Sequence, residues 1–388
     1  MTTLLIIIYI AFISLGLPDS LLGSAWPVIQ TDLSAPVSFA GVISLLVCCG
    51  TVISSYLSSR FIRKFGTGVV TAASVAITAV ALLLYSVSNT AVLLCLIAIP
   101  LGLGAGCVDA ALNNFVALHY KASHMNWLHC FWGIGASLGP MIMSYCLKQS
   151  GNWKMGYFSI GMFQVIFVLL LIFTLPLWKR AGEKMEEGGE EETKVIPMGE
   201  ILRIKYAKPV LVTLFCYCGL ELTAGLWGST YAVEKYGTLT EVAAGWTSVY
   251  YLGITAGRFL SGFFALKLSH KQLIRFGQIL IFVGVVIVML PISVLKVPIG
   301  MSLIGLGCAP IYPAMLHQTP KIFGSSLSQS MMGIQMACAY VGSALLPPLF
   351  GLIAENLSVS LYPIYLFAII LLMFLCTEYV NRKRENAM

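Results

Sequence analysis

The sequence predicts an all-α membrane protein whose twelve spanning helices form two related halves of six. Three observations predict this fold class. The chain of 388 residues is 58% hydrophobic and only 10% charged, whereas a soluble domain carries about 25% charged residues. Apolar runs of about 20 residues, the length that crosses the core of a bilayer, recur along the chain. Glycine and proline positions also repeat between the first and the second half of the sequence.

The apolar runs are predicted to be helices, because a helix satisfies its own backbone hydrogen bonds in lipid. The predicted spans are 4–28, 38–59, 67–88, 91–119, 125–147, 155–178, 209–233, 243–266, 273–295, 297–318, 327–353 and 358–380. A soluble enzyme is excluded, so we expect no catalysis and no cofactor. The 11 cysteines fall inside these spans, without His or Cys partners at metal-ligand spacing. Neither a metal site nor a disulfide framework is therefore expected.

A formal net charge of +7 could indicate a nucleic-acid partner, but the positions of the basic residues relative to the predicted spans give another explanation. Most Lys and Arg residues lie between the second and third spans, in the central polar break, after the eighth span and at the C-terminus. An excess of basic residues in short loops marks the cytoplasmic side of a membrane protein. We therefore expect a multi-pass protein of the cell inner membrane with both termini in the cytoplasm. Its partner is the lipid bilayer, not nucleic acid.

A polar, Glu-rich segment separates the two halves. The predicted organisation is an N-terminal six-helix bundle over 1–178, a cytoplasmic linker over 179–208 and a C-terminal six-helix bundle over 209–388. Two parallel repeats of this kind can rock around a site at the membrane midplane. A monomer is expected for this architecture. Duplication is indicated by positions that recur at a nearly constant offset: Gly102 and Gly104 with Gly305 and Gly307, and Gly135 and Pro140 with Gly342 and Pro347.

Three of the 16 acidic residues, Asp19, Asp109 and Glu221, fall deep inside predicted spans. Ionisable groups at membrane depth are costly and usually mark an ion or substrate pathway. Burial disfavours the charged form of a carboxyl group, so such a group can load a proton on one side and release it on the other. A structural ion pair is the competing interpretation, but no Lys or Arg lies at a matching depth. Arg258 is predicted to lie too near the cytoplasmic end. All three acids are candidate proton-coupling residues.

Polar and aromatic side chains surround these acids at helical spacing. Asp109 and Asn113 are four residues apart and share a face of the fourth span, and Asp19 and Trp26 share a stripe of the first. Carboxylates and amides beside aromatic rings suit a sugar, whose hydroxyls need hydrogen bonds and whose C–H faces stack on rings. For His129 a pathway role and a structural hydrogen bond are equally open. Candidate substrate-binding residues are Asp109, Asn113, Asn126, His129, Trp132, Trp26, Trp227, Tyr231, Tyr312 and Gln335.

Two stretches carry a resemblance to a known family. Residues 102–115 read G-L-G-A-G-C-V-D-A-A-L-N-N-F, and residues 126–140 read N-W-L-H-C-F-W-G-I-G-A-S-L-G-P. They resemble the fourth and fifth helices of the fucose–galactose–glucose:proton symporter family, which is part of the major facilitator superfamily, and its related sodium-glucose transporter-like branch. Residues 60–66 (R-F-I-R-K-F-G) resemble the loop motif of the superfamily without its usual Asp.

The resemblance implies the major facilitator fold and symport of a monosaccharide or similar small polar solute with protons, or with sodium, by alternating access. In that family the fourth-helix acid recognises substrate and takes part in proton coupling, a role that would fall to Asp109. A first-helix Asp carries the proton, as Asp19 would here. The family has amides in its fifth helix where this chain has His129 and Trp132, and the His version resembles the glucose-transporting branch more closely.

Two other hypotheses stay open on the sequence alone. Three buried acids and many aromatic rings would also serve a proton-coupled exporter, an antiporter for lipophilic or cationic compounds. A membrane receptor that does not transport would bind its ligand without counterflow, although the short loops argue against it. ATP is not expected to drive the protein, because the Gly-rich stretch that begins at Gly102 lies within a membrane helix and has no following Lys.

Overall fold

The computed structural model of the chain describes residues 2–120, 122–182, 203–264 and 267–385. Its elements are helices, and no strand occurs in those ranges. In the first half the helices are α1 Thr2–Asp19, α2 Leu21–Asp32, α3 Phe39–Phe65, α4 Thr67–Val87, α5 Ala91–His119, α6 Ala122–Ser150 and α7 Trp153–Gly182. In the second half they are α8 Ala207–Tyr236, α9 Thr240–Phe264, α10 His270–Met289, α11 Lys296–Cys308, α12 Ile311–Phe323, α13 Ser325–Asn356 and α14 Tyr362–Glu385, with a short 3-10 turn at Val359–Leu361.

Within the described residues, 11 helical segments are long and apolar enough to cross a membrane. One of them combines α1 with α2 and another combines α11 with α12, so that each pair forms a single span. α9 occupies the position of the eighth predicted span but is not among the 11, and it carries the polar residues Glu241 and Arg258. It is 25 residues long and packs against α6 and α11, so it completes the predicted twelve-helix arrangement.

The helices that flank the predicted linker 179–208 reach a few residues into that interval from both sides. α7 continues to Gly182, and α8 already begins at Ala207. Both helices therefore extend beyond the predicted ends of the sixth and seventh spans. Residues 183–202, which hold the Glu-rich part of the linker, lie outside the described residues.

The glycines that repeat in the sequence make equivalent contacts in the two halves. Gly102 of α5 lies against the backbone of Val47 in α3, and Gly305 of α11 lies against the backbone of Tyr250 in α9. A side chain at either glycine would collide with the facing backbone, so glycine permits this close approach of helices. The same arrangement joins α6 to α1 and α13 to α8, with Gly135 against Ile13 and Gly342 against Phe215. These matching contacts support the duplication.

Two spans are interrupted near their middle by proline. In the first span α1 ends at Asp19, directly after Pro18, and in the tenth span α11 and α12 meet at Pro310. Proline lacks the backbone N–H that a helix needs and its ring crowds the preceding turn. α1 and α2 are separated at Ser20, and the two residues expected on one stripe, Asp19 and Trp26, have different surroundings, since Asp19 is exposed. Trp26 is instead fully buried in the core.

The two ends of the bundle differ in charge. At one end, here called the basic end, α3 finishes with Arg63 and Lys64 in its last turn and α12 finishes with Lys321. The positive-inside rule predicts that this end is cytoplasmic. The other end, called the opposite end, contains the C-terminus of α2 at Asp32 and that of α8 at Tyr236.

The halves are sealed together at the opposite end. Gln30 Nε2 donates a hydrogen bond to Glu234 Oε1 at 2.7 Å, and the Ser38 backbone N–H donates to Glu355 Oε2 at 3.3 Å. Along α3 and α13 the last hydrogen bond between the halves, moving toward the basic end, is the contact of Cys48 Sγ with the Tyr340 carbonyl oxygen at 3.8 Å. Among the described residues, no hydrogen bond joins α3 to α13 nearer the basic end than this contact.

A second seam, between α6 and α9, stays closed over a longer distance. Ser144 Oγ donates to the Glu241 carbonyl oxygen and Ser248 Oγ donates to the Ser137 carbonyl oxygen, each at 2.7 Å. Closer to the basic end, Gly133 of α6 lies directly against the Thr255 side chain of α9. These contacts place α6 and α9 antiparallel along one wall of the space between the halves.

Candidate functional site

A cavity of about 430 Å³ lies between the two halves. Its size falls in the range of ~300–1,000 Å³ that is usual for small-molecule sites. α1, α2, α3, α5 and α6 line it from the first half, with one tyrosine each from α4 and α7, and α8, α9, α12 and α13 line it from the second. All three acids that the sequence singled out, Asp19, Asp109 and Glu221, reach this cavity. The structure therefore brings together carboxyl groups that are up to 202 positions apart in the chain.

Asp19 ends α1 with its side chain exposed to the cavity. Trp132 Nε1 of α6 donates a hydrogen bond to Asp19 Oδ2 at 2.7 Å. Among the described residues, no Lys or Arg side chain lies within ion-pair distance of this carboxylate. The helix break after Pro18 presents Asp19 at the end of a helix, where it faces the open space instead of the core.

Asp109 lies half-buried in the cavity wall on α5. Asn113, one helical turn later, donates from Nδ2 to Asp109 Oδ1 and to the Asp109 carbonyl oxygen, both at 2.9 Å. The four-residue spacing thus places the amide where it orients the carboxylate, while Asn113 itself is not part of the lining. No cation of the described residues pairs with Asp109 either. The first half therefore presents two carboxyl groups that only neutral donors contact.

Glu221 differs, because it is paired with a cation. Arg258 Nη2 lies 3.7 Å from Glu221 Oε1, with side chains 23% and 19% exposed respectively. This corrects the expectation that Arg258 lies too near the helix end to reach an acid. The sequence indicates only how far along the helix the Cα atom of Arg258 lies. An extended arginine side chain can carry its guanidinium farther by a distance comparable to one helical turn, ~5.4 Å. The guanidinium thereby reaches the cavity from α9.

Arg258 also contacts the other half of the molecule. Its guanidinium lies over the Trp132 ring, 4.7 Å from the ring centre, and Nη1 donates to the His129 carbonyl oxygen at 3.4 Å. The His129 ring lines the cavity and packs edge-on against Phe12 at 6.0 Å. A continuous chain of contacts therefore runs from Asp19 through Trp132 and Arg258 to Glu221.

Tyrosines form much of the remaining polar wall. Tyr251 meets Trp132 edge-on, with ring centres 6.4 Å apart, and Tyr217 stacks on Tyr312 at 6.2 Å. Of these, the sequence had singled out Trp132 and Tyr312. Tyr217 could have been found from its position one turn before Glu221 on α8. Other lining residues that the sequence reading missed are Tyr251, Tyr340, Cys48 and Cys218.

Five predicted substrate-binding residues lie outside the cavity: Asn113, described above, and Trp26, Trp227, Tyr231 and Gln335. Trp26 is fully buried, and Trp227 donates from Nε1 to the Pro347 carbonyl oxygen at 2.9 Å. The Tyr231 hydroxyl lies 3.0 Å from that of Tyr236, and Gln335 Oε1 accepts a hydrogen bond from Thr319 at 2.8 Å. These side chains fill helix interfaces, where aromatic and amide groups follow the same helical spacing as in a binding site. For Asn126, the side chain lies outside the described residues.

The chemistry available in the cavity is proton exchange and hydrogen bonding. No group of three or more His, Cys, Asp or Glu in the described residues could hold a metal ion. All 11 cysteines are free thiols. The cavity offers carboxyl, hydroxyl, imidazole, indole and guanidinium groups beside aromatic faces, and hydrogen bonds join the halves at the opposite end.

Comparison with known proteins relates the chain to membrane transporters. The family model described as Major Facilitator Superfamily matches residues 8–291 and 211–386. The glucose/mannose transporter GlcP of Bacillus subtilis is 22% identical over 88% of this chain and 86% of its own length. Sodium-dependent glucose transporter 1 of Homo sapiens is 23% identical over 91% of this chain and 74% of its own. Bypass of stop codon protein 6 of Saccharomyces cerevisiae is 23% identical over 94% and 80%.

A solved structure shares the fold. The nucleoside transporter NupG, in the form of a point mutant, superposes with a TM-score of 0.77 and covers 97% of this chain and 98% of that one. Its sequence is 12% identical, so the likeness concerns the arrangement of helices alone.

Proposed function

The chain belongs to the Major Facilitator Superfamily, and on that premise we propose that it is a proton-coupled symporter of a monosaccharide or a similar small polar solute. General transport across a membrane follows from the family, from the 11 candidate spans and from relatives that are sugar transporters. The coupling ion, the direction of transport and alternating access are the parts that we propose.

One observation carries the proposal: Asp19 and Asp109 face a shared cavity without a cation partner in the described residues. A carboxyl group in such a place can exist in its neutral form at moderate cost, because the surrounding apolar wall disfavours the charge. Protonation of these carboxyl groups therefore removes most of the electrostatic cost of enclosing them, together with a bound solute, in a conformation that is closed to water on both sides. Release of the proton on the other side restores the charge and gives the cycle its direction.

The solute class is proposed from the cavity wall. Hydroxyls of Tyr251 and Tyr312 and the carboxylates of Asp19 and Asp109 can hydrogen-bond to sugar hydroxyl groups, while aromatic faces can stack on C–H surfaces. The names of two relatives, a glucose/mannose transporter and a sodium-dependent glucose transporter, point to the same class. Because one of these relatives is named a sodium-dependent glucose transporter, sodium is the alternative coupling ion to be tested against protons.

The transport cycle is proposed to be alternating access. The halves are joined at the opposite end by Gln30 with Glu234 and by Ser38 with Glu355, and we propose that α3 and α13 part toward the basic end, beyond the contact of Cys48 with Tyr340. If the basic end is cytoplasmic, this is a conformation open to the cytoplasm. We propose that the protein lies in the cell inner membrane as a monomer with both termini in the cytoplasm. Its two helical bundles would be residues 1–178 and 209–388, joined by a linker over 179–208.

The alternative, a proton-driven exporter of lipophilic or cationic compounds, gains support from the apolar part of the lining, such as Phe12, Leu15 and Ile43. A cation would, however, compete with Arg258 for Glu221, since the guanidinium already lies 3.7 Å from that carboxylate. The pair reduces the net negative charge that a cationic solute would need. The cavity therefore favours a neutral polar solute.

The test is uptake of a panel of radiolabelled monosaccharides into proteoliposomes, with and without an inward proton gradient and with sodium in place of protons. We expect gradient-driven accumulation of one sugar by the wild type and its loss in Asp109→Asn, which keeps the shape and the Asn113 contact but removes the charge. Protein-free liposomes control for leakage, and the thermal stability of the purified variant controls for folding. Absence of uptake of every sugar by folded wild type, with binding of lipophilic cations, would favour the exporter.

A further inference from the structure

Arg258 is a charged residue that contacts both halves inside the cavity. We propose that Arg258 is a positioning residue for coupling, which links the state of Asp19 in the first half to Glu221 in the second through the Trp132 ring. This inference rests on the proposed symport and adds a component that the sequence resemblance does not assign.

Within its own half Arg258 has one contact with an acid. Its Nη2 lies 3.7 Å from Glu221 Oε1, which is longer than the ~2.7–2.9 Å of a close charge-assisted hydrogen bond. Both side chains keep about a fifth of their surface exposed. The pair is therefore a long ion pair that the cavity reaches, and Arg258 supplies the positive charge beside Glu221.

Across the interface Arg258 contacts α6 at two points. The guanidinium stacks on the Trp132 ring at 4.7 Å, and Nη1 donates to the His129 carbonyl oxygen at 3.4 Å. Arginine suits this position, because its planar, permanently charged group can stack on a ring and donate in several directions at once. Lysine offers the charge without the flat face.

The Trp132 indole makes the connection to the proton site. The edge of the ring donates from Nε1 to Asp19 Oδ2 at 2.7 Å, while its face carries Arg258. A hydrogen bond to a charged carboxylate is roughly twice as strong as one to a neutral group. Protonation of Asp19, or engagement of Asp19 by a solute, therefore loosens the indole and with it the surface on which Arg258 rests.

This cluster lies on the seam between α6 and α9. Toward the opposite end that seam is held by Ser137 with Ser248, and Gly133 brings the two helices together beside Thr255. A change at Trp132 can therefore alter how α6 moves against α9. The acidic and imidazole groups that face the cluster from the packed elements are Asp19 on α1, Asp109 on α5, His129 on α6 and Glu221 on α8, and the phenols and thiol are Tyr217 and Cys218 on α8, Tyr251 on α9, Tyr312 on α12 and Tyr340 on α13.

The experiment compares Arg258→Lys, Arg258→Gln and the double variant Arg258→Gln with Glu221→Gln in proteoliposomes. The double variant removes both charges, so that no unpaired ion remains in the cavity. If Arg258 only neutralised Glu221, the double variant and the Lys variant would both recover wild-type accumulation. We expect instead that all three lose gradient-driven accumulation by about tenfold, in the usual range of coupling effects, while exchange of labelled for unlabelled solute without a gradient is retained.

A second readout does not depend on knowing the solute. Cys48 and Cys218 line the cavity from opposite halves, and their labelling by a maleimide reports how open the cavity is. We expect the labelling of wild type at about pH 5 to differ from that at about pH 8, because the proposed protonation of Asp19 weakens the hydrogen bond that Asp19 accepts from Trp132. Each variant is compared with wild type at the same pH, so that the chemistry of the thiol cancels.

The two readouts separate the possible failures. Folded variants whose labelling follows wild type at every pH, or a double variant that accumulates solute like wild type, would overturn the role of Arg258. Loss of the pH response in all three variants supports that role. Wild type could also fail to take up any sugar while its labelling still responds to pH in a way that requires Arg258. That result would reject the proposed sugar symport but retain the role of Arg258 in coupling.

Discussion

The two halves of the cavity hold their acids in different ways. In the first half Asp19 and Asp109 are contacted by the neutral donors Trp132 and Asn113, whereas in the second half Glu221 is contacted by Arg258. A carboxyl group that meets only neutral donors can change its protonation state without stranding an opposite charge. Loss of a carboxylate that is paired with a cation would leave that cation without its partner. We therefore propose that proton loading falls to the first half, and that charge balance and coupling fall to the second.

Asp19→Asn is expected to have the largest effect on this comparison. The Asn side chain can still accept the Trp132 hydrogen bond but cannot carry a proton on and off, so gradient-driven accumulation should fall to background while solute exchange continues. Uptake and exchange assays in proteoliposomes measure both. Asp32→Asn is a matched control, because Asp32 also accepts an indole hydrogen bond, from Trp153 at 2.9 Å, but lies outside the cavity. Accumulation retained by Asp19→Asn would remove Asp19 from the proton pathway.

Glu221→Gln should have a smaller effect of a different kind. It leaves the Arg258 guanidinium without its acid, which destabilises a shielded ion pair site, so we expect a lower melting temperature in detergent and uptake reduced by about tenfold. A proton gradient should still drive the remaining uptake, because the first-half acids are intact. If Glu221→Gln instead abolished the gradient response while leaving exchange untouched, the two halves would share the proton pathway, and the assignment above would be wrong.

Trp132→Phe tests the link between the halves. Phenylalanine keeps an aromatic face beneath Arg258 but loses the N–H that donates to Asp19. A hydrogen bond to a charged group contributes about 1.5–3 kcal/mol, part of which water in the cavity replaces. We therefore expect uptake reduced by roughly threefold to tenfold, a slightly lower melting temperature and a weaker pH dependence of Cys48 labelling. A wild-type pH response in this variant would show that the indole N–H does not transmit the state of Asp19.

The fold was predictable because a bilayer constrains composition and helix length. Twelve spans, their pairing into two halves and the Gly102 and Gly305 contacts all follow from apolar runs and from the need for small residues where helices touch. The three cavity acids were also found, because a carboxyl group in an apolar run is rare enough to signal a pathway.

Arg258 and part of the aromatic wall could not be found in the same way. The sequence states where the Cα atom of Arg258 lies along a helix, but not where a long side chain places its guanidinium. Aromatic residues have the same spacing on a face that packs as on a face that lines a cavity, so Trp227 and Tyr251 look alike until the neighbouring helices are known. The register of the first span was predicted across Pro18, although the helix is interrupted there.

Gly133→Ala gives the smallest expected effect and sharpens the comparison of the two seams. An added methyl group at Gly133 would press on the Thr255 side chain between α6 and α9, whereas the same change at Gly262 of α9 meets open space. The alanine should loosen the α6–α9 seam and change Cys48 labelling by roughly twofold, in the lower range of conformational coupling. Gly262→Ala should label like wild type. Equal labelling of both variants would mean that the α6–α9 seam does not govern opening, and would place the control of access in the α3–α13 seam at Cys48 and Tyr340.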